Sequence, residues 1–182
     1  MKSIHRWSAS LAVVAVIALG SPSIPRQASQ ASVDGKGDLG DKIAGTYLAV
    51  QEDGAQVLQI GRDGNLSFVF SIQFTGGGVL GVPFSDTLGS WKTTGRREVT
   101  ARTVNLGFQS GNGFFGVAAA TYVIKFDETF ETATATCEGA IFPPGANPFD
   151  ADAEPIAGSA FSCGPGLAFH RIPVEGKNGN HP

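Results

Sequence analysis

The sequence predicts an all-β domain, in which an antiparallel meander of about eight or nine strands closes into a barrel. Runs of β-branched and aromatic residues alternate with short segments rich in Gly, Asp and Asn from residue 42 onward. Within many of these runs apolar and polar residues alternate from one position to the next, and no segment shows a helical period. Closure into a barrel would remove the exposed edges that such a meander otherwise leaves.

Residues 1–20 are predicted to form a cleavable signal peptide. Lys2 and Arg6 carry positive charge, residues 11–19 (LAVVAVIAL) are apolar, and small residues precede an expected cut before Ser21. The apolar stretch is far shorter than the roughly 20 residues that span a bilayer. We therefore expect a secreted or periplasmic mature chain with no membrane span. An uncleaved signal anchor is the alternative.

Charge and length restrict the classes of function. Cleavage would remove Lys2 and Arg6 but no acidic residue, so the mature chain is more acidic than the formal net charge of −3 of the whole sequence. A mildly acidic domain lacks the basic patch that nucleic acid or an anionic membrane attracts, so we expect no nucleic-acid partner. The remaining length of about 160 residues suits one domain with its own core.

The chain is expected to divide into a lead-in, a barrel and a tail. Residues 21–41 are rich in Ser, Pro, Gln and Gly without any period, which predicts a flexible linker. The barrel is expected over 42–175 and a disordered tail over 176–182. Turns containing Gly, Asn or Asp separate most of the predicted strands. These strands lie at 44–51, 55–61, 64–74, 86–93, 97–109, 116–127, 130–142, 157–163 and 167–172.

The alternation within the strands predicts which side chains face the barrel interior. The strand at 64–74 directs inward a row of large apolar residues, namely Leu66, Phe68, Phe70, Ile72 and Phe74. The strand at 116–127 does the same with Ala118, Ala120, Tyr122, Ile124 and Phe126. In the strand at 97–109, the apolar side chains of Val104, Leu106 and Phe108 share the parity of Arg102. The strand at 130–142 offers mainly small inward residues, so we expect the barrel to be incompletely filled.

The two cysteines, Cys137 and Cys163, are predicted to form a disulfide. An even number of cysteines in an exported chain favours a bridge. On the chain-entropy account a loop of this length gives a stabilisation of about 3 to 4 kcal/mol. Two buried free thiols are the alternative.

Two segments resemble known barrel proteins. Gly45-Thr46-Tyr47 near the start of the domain and Arg171 near its end resemble the lipocalin and broader calycin pattern. In that pattern an aromatic residue of the first strand packs against an arginine at the closed end of the barrel. The segment 84–101 (FSDTLGSWKTTGRREVTA) is similar to one in uncharacterised exported or lipocalin-like bacterial barrels. The resemblance implies a calycin or allene oxide cyclase-like barrel and brings no established activity.

The common catalytic and metal-binding motifs do not occur. No GxSxG, HExxH or CxxC segment is present, and His170 would have to build an imidazole site without a second His nearby in the sequence. The sequence therefore indicates no metal, no cofactor and no identifiable catalytic residue. Whether the chain is an enzyme is left open, and binding without catalysis is the favoured interpretation.

The candidate ligand-binding residues combine apolar side chains with a few polar ones. They are Phe68, Phe70, Ile72, Trp91, Arg102, Tyr122 and Glu138. Trp91 has core packing as its alternative role, and Arg102, with Asp86 or Glu138, is either an anchor for a ligand, a structural ion pair or a solvent-exposed group.

The predicted function is a secreted barrel that binds a small apolar or amphipathic ligand. The first alternative is an isomerase or cyclase of the allene oxide cyclase or dirigent kind. The second is a structural or surface-interaction module. The sequence does not indicate the oligomeric state.

Overall fold

The computed structural model describes residues 36–75, 81–109, 113–163 and 166–174. The expected signal peptide and the tail over 176–182 lie outside these residues. The described chain forms one helix and nine strands. They are α1 (Lys36–Ile43), β1 (Gly45–Gln51), β2 (Gly54–Ile60), β3 (Asn65–Phe70), β4 (Thr87–Gly95), β5 (Glu98–Gln109), β6 (Gly113–Phe126), β7 (Thr132–Phe142), β8 (Phe161–Ser162) and β9 (Leu167–Arg171).

Eight of the strands close into an antiparallel barrel, which confirms the predicted fold class. Neighbouring strands follow the order β6-β5-β4-β3-β2-β1-β9-β7, and the pairing of β6 with β7 closes the circle. The short strand β8 is the ninth, and it pairs with the same edge of β7 as β9 does. Helix α1 is far too short to cross a membrane, and no other helix in the described ranges is long and apolar enough to do so.

The strand expected at 64–74 ends at Phe70, so the prediction was wrong for its last residues. The backbone turns back there because Gln73 donates its own N–H to the Phe70 carbonyl at 3.2 Å and accepts the Phe70 N–H on Oε1 at 3.1 Å. The Gln73 amide nitrogen also donates to Asp86 Oδ1 at 2.9 Å. Phe74 is consequently 80% exposed rather than part of an inward row. The alternation of Ile72 and Phe74 continued the strand pattern, while the side chain that ends the strand lies between them.

Helix α1 occupies the end of the segment that was expected to be a flexible linker. Leu39 and Ile43 are four residues apart, so they share one face of the helix, and both are buried in the same core cluster as Trp91. Such a short helix is only marginally stable by itself, and packing of its apolar face stabilises it. Leu39 lies in the polar segment 21–41 and Ile43 just beyond it, so the composition of that segment gave no sign of the helix.

The inward face of β5 is the opposite of the one predicted. Thr103 lies opposite Gly89 of β4 and Ala120 of β6, and all three belong to the inward parity. Leu106 and Phe108 therefore point outward and are 42% and 40% exposed. Because β5 carries apolar residues on both parities, its own alternation does not reveal its inward face, which the register with β4 and β6 determines. The inward face of β6 agrees with the prediction, and Ile124 is one of its buried residues. On β7 the inward face carries Ala133 and Ala135, while the candidate Glu138 lies with the row of threonines on the outer face.

One end of the barrel is closed around Arg171. Its guanidinium carbon lies 5.3 Å from the centre of the Tyr47 ring, and its Nη2 donates to the carbonyls of Lys42 and Ala44 at 2.7 and 2.8 Å. Gly45 leaves room for this group, since a Cβ there would lie 3.4 Å from two guanidinium nitrogens. The Tyr47 hydroxyl donates to the Ile43 carbonyl at 2.9 Å. Helix α1 and the first and last barrel strands are thereby joined, in the aromatic–arginine contact that the resemblance implied.

Candidate functional site

The half of the barrel away from α1 encloses a cavity of about 370 Å³. Its apolar walls come from strands on both sides of the barrel and from the residues that follow β3. They are formed by Phe70, Ile72, Phe84, Ala118, Ala120, Tyr122, Ala135, Phe161, Cys163, Leu167 and Phe169. The polar lining consists of Gln51, Gln56, Thr87, Thr103 and Asn105. The cavity is therefore a mainly apolar space with a small number of hydrogen-bonding groups.

The floor of the cavity is an aromatic layer centred on Phe68. The Phe68 and Tyr122 rings stack with their centres 4.6 Å apart, and Phe169 packs against Phe68 at 6.1 Å. Nearer the mouth, Phe70 and Phe84 meet edge to face at 5.7 Å. Phe68 is fully buried. The layer thus separates the half of the barrel that contains the cavity from the packed half beneath it.

The cavity exists because the inward positions around it carry small side chains. Ala118, Ala120 and Ala135 present only methyl groups, and Thr87 and Thr103 add little more. Gly139 makes room for the Phe161 ring, since a Cβ at Gly139 would lie 2.5 Å from its Cζ. Phe161 therefore lies across β7 and closes part of the cavity wall. Side chains of this size cannot meet across an eight-stranded barrel.

Three of the five polar residues of the lining, Thr87, Thr103 and Asn105, lie on the wall that β4 and β5 form. The Asn105 side-chain nitrogen donates to Thr87 Oγ1 at 3.0 Å, and the Thr103 hydroxyl donates to the Ala120 carbonyl at 3.4 Å. The Asn105 side-chain oxygen is buried and has no hydrogen-bond partner. This wall is polar but carries no formal charge.

Tyr122 is the ionisable group of the described cavity lining, and burial raises its pKa to about 12. Its hydroxyl lies 3.8 Å from Cys163 Sγ. Because a disulfide sulfur carries no proton, the hydroxyl is the donor in this contact. The phenol therefore stays neutral at physiological pH. The described lining also contains no Asp, Glu, Lys, Arg or His, so it contributes neither a carboxylate nor a cation to the cavity.

The predicted disulfide between Cys137 and Cys163 is confirmed. The two Cα atoms are 4.9 Å apart, and the Cys163 N–H also donates to the Cys137 carbonyl at 3.0 Å. The bridge joins the middle of β7 to the residue that follows the two-residue strand β8. It therefore holds Phe161 and Cys163 in the cavity wall, where strand pairing alone is short.

The structure brings some of the predicted site residues together and separates others. Phe70, Ile72 and Tyr122 line the cavity, and Phe68 lies in its floor. Trp91 is buried in the packed half, where its indole N–H donates to the Gly61 carbonyl at 3.0 Å. Trp91 thus takes the core role that was its alternative.

Arg102 and Glu138 lie on the outer wall of the barrel, so neither reaches the cavity. Both pair in register with Thr121, which places the width of β6 between them. Arg102 covers the ring of Phe149, with its guanidinium carbon 5.1 Å from the ring centre. The expectation that Arg102 faces inward rested on the wrong face of β5. Asp86, its other suggested partner, accepts instead from Gln73.

Sequence reasoning did not single out several residues that form the cavity. Thr87, Thr103 and Asn105 are short polar residues in a β-pattern. Only the register of β5 with β6 places Thr103 and Asn105 opposite the small inward residues Ala120 and Ala118. Phe84 precedes β4 and forms an isolated bridge with Gly107. Phe161 had one local signal, since it lies two residues before Cys163 and the predicted bridge had to bring it beside β7.

No cluster of three or more His, Cys, Asp or Glu side chains that suits a metal ion occurs in the described part of the chain. Compared with known protein families, with curated proteins and with solved structures, the chain matches none of them. The evidence for a function is therefore the geometry of the cavity and the chemistry of its walls.

Proposed function

We propose that this protein binds one small, mainly apolar molecule in the cavity of its barrel. The observation that carries the proposal is the cavity itself, with about 370 Å³ of space between aromatic and aliphatic walls. Ligand pockets in proteins commonly measure about 300 to 1,000 Å³ and combine apolar walls with a few polar groups. A structural module has no need for such a space in its core.

The volume limits the size of the ligand. An apolar cavity of about 150 Å³ accommodates benzene in another protein. On that scale, this cavity of about 370 Å³ suits a molecule of about 15 non-hydrogen atoms. A medium-length alkyl chain or a compound with one or two rings has this size.

We also propose that the protein acts after export, as a calycin-like barrel. The charged, apolar and small-residue order of residues 1–20 supports cleavage near Ser21. The disulfide suits an oxidising compartment. The contact of Arg171 with Tyr47 supports the calycin-like assignment.

The binding function has more support than an isomerase or cyclase function. An enzyme that moves protons commonly places a carboxylate, an imidazole or an activated amine at its substrate. The described residues of the cavity lining include none of these groups. No feature of the cavity specifically favours catalysis.

A fluorescent apolar probe tests the proposal. We expect N-phenyl-naphthylamine to bind the native protein saturably, at one site per chain, with increased emission. Ala120→Phe places a ring inside the cavity and should weaken the probe at least about tenfold. Ala119→Phe is the matched control. Ala119 is the neighbour of Ala120 on β6, but it has the opposite parity and faces the outer wall. Its affinity should be that of the wild type.

Two results would contradict the binding function. The first is the absence of saturable binding to the native, disulfide-bonded protein. The second is equal affinity in Ala120→Phe and Ala119→Phe, because the probe would then bind outside the barrel.

A further inference from the structure

The first and last strands of the barrel, β1 and β9, pair over a short distance. They pair at two positions, and the pairing ends where Leu48 lies opposite His170. In the described chain, each of the other pairings between barrel strands extends over at least four positions. Yet β1 continues along β2, and β9 along β7, for three more residues. The segments 49–51 and 167–169, which we call the seam, are therefore not paired with each other.

The seam has the cavity on its inner side and a groove of about 470 Å³ on its outer side. The seam residues Gln51, Leu167 and Phe169 line the cavity. The apolar residues that line the groove are Leu48, Val50, Leu167, Ala168, Ile172 and Pro173. Leu167 thus belongs to both spaces, although it has the inward parity of the buried Phe169. In a closed wall a side chain would line one space or the other, so Leu167 marks the place where the groove and the cavity meet.

The outer side of the seam is apolar. Val50 is 71% exposed and is the most exposed large apolar side chain of the described strands. The small outward residue Ala168 faces the groove on the β9 side. His170 and Arg171 are the polar residues of the described groove lining, and both belong to the paired part next to the closed end. A hydrocarbon segment over Val50 would therefore remove apolar surface from water without burying a charge.

We infer that the ligand is a long, unbranched hydrocarbon-chain molecule, of which one part fills the cavity and the rest passes through the seam and lies along Val50 in the groove. This inference rests on the proposed binding function. The cavity alone holds about 15 non-hydrogen atoms, and the groove extends the site to longer chains. A methylene chain is the narrowest form of hydrocarbon, so it requires the least separation of β1 from β9.

Two ligands with one head group and different chain lengths test the inference. The chain of dodecylphosphocholine fits in the cavity alone, whereas hexadecylphosphocholine has four more methylenes. Both displace N-phenyl-naphthylamine from the native, disulfide-bonded protein, at concentrations below those that form micelles. A methylene that is fully transferred from water contributes about fourfold in affinity, and the open groove should give less. We therefore expect the hexadecyl compound to bind at least about tenfold more tightly than the dodecyl compound.

Val50→Asn assigns the gain to the groove. It places a hydrated amide on the outer side of the seam, so the hexadecyl compound should lose its advantage while the dodecyl compound keeps its wild-type affinity. Val69→Asn is the matched control, because Val69 is an exposed valine of the outer wall on β3, away from the seam. It should keep the advantage. If Val50→Asn does not fold, Ala168→Trp fills the groove with a ring and gives the same comparison.

The outcomes separate this inference from the proposed function. If the probe binds and the two chain lengths have equal affinity, the chain ends inside the cavity and the binding function stands without the groove. The groove is likewise excluded if Val50→Asn and Ala168→Trp keep the advantage of the longer chain, or if Val69→Asn loses it equally. If the native protein does not bind the probe at all, the binding function itself fails.

Discussion

The two halves of the barrel use the same strands but fill their interiors to very different degrees. In the half next to α1, the inward positions carry large apolar residues that pack into one cluster, including Tyr47, Ile60, Trp91, Ile124 and Phe126. In the other half the same strands carry Ala, Thr and Asn, and a cavity remains. On β6 the change occurs between Tyr122 and Ala120, which are neighbours on the inward face.

From this difference we expect the packed half to contribute mainly to stability and the half with the cavity to contribute mainly to the proposed binding. Close-packed apolar side chains contribute most of the free energy of folding, and removing their atoms leaves a cavity that lowers stability. Inward positions beside an existing cavity contribute less, because their contacts are already incomplete. Substitutions in the packed half should thus act mainly on the free energy of unfolding. Those in the open half should act mainly on affinity.

The largest expected effect comes from paired substitutions in β3. Phe68 is fully buried in the aromatic floor, whereas Phe70 lines the cavity two residues later. Phe68→Ala should lower the free energy of unfolding by about 4 kcal/mol. Phe70→Ala should lower it by about half as much. Relative to its loss of stability, Phe70→Ala should weaken probe binding more than Phe68→Ala does. Urea unfolding and probe titration of both variants measure this contrast, and equal losses of stability would mean that the two halves do not differ.

The disulfide should have the next largest effect. Replacing both Cys137 and Cys163 by Ser removes the link between β7 and β8, and we expect a loss of about 3 kcal/mol in unfolding free energy. Because the bridge holds Phe161 and Cys163 in the cavity wall, probe affinity should fall as well. Urea unfolding monitored by tryptophan fluorescence gives the first quantity, and the probe titration gives the second. A double variant with unchanged probe affinity would show that β8 holds its position without the bridge.

A smaller effect should appear at high pH. Burial raises the pKa of Tyr122 from the ordinary tyrosine value of about 10 to about 12, so the folded chain holds this proton more tightly than the unfolded chain. The contribution of Tyr122 to stability should therefore be constant below pH 10 and fall as the pH rises from 10 toward 12, by about 1 kcal/mol at pH 11.

Tyr122→Phe isolates this contribution, since it removes the hydroxyl and keeps the ring in the floor. The variant should lose less stability than the wild type between neutral pH and pH 11 when both are unfolded in urea. Burial also raises the pKa of Tyr47, so part of the decline should remain. Identical pH profiles of the two proteins would contradict the assignment to Tyr122.

The smallest expected effect is that of Arg102→Ala. Its guanidinium covers Phe149 on the outer wall, where substitutions usually change stability by less than about 0.5 kcal/mol. The affinity for the probe should stay the same. A loss of probe affinity in this variant would place Arg102 at the cavity and overturn its assignment to the outer wall.

Local patterns in the sequence were enough to predict the class of fold and part of the cavity. Alternation, turn residues and the two cysteines predicted an antiparallel barrel with a disulfide. The inward rows of β3 and β6 correctly placed Phe70 and Tyr122 at the cavity. The small inward residues of β7 predicted an unfilled interior. These features are local because side-chain parity, turn chemistry and residue size need no knowledge of distant partners.

Only the tertiary structure decided which face of β5 points inward, and hence which polar groups line the cavity. Both faces of β5 carry apolar residues, so the choice depends on its register with Gly89 and Ala120 on the neighbouring strands. A shift of one residue would exchange Thr103 and Asn105 for Arg102 and Val104 throughout the cavity wall. Register is a property of paired strands, fixed by the complete set of barrel contacts. For that reason the sequence proposed Arg102 for the cavity, while the folded chain places Thr103 and Asn105 in its lining.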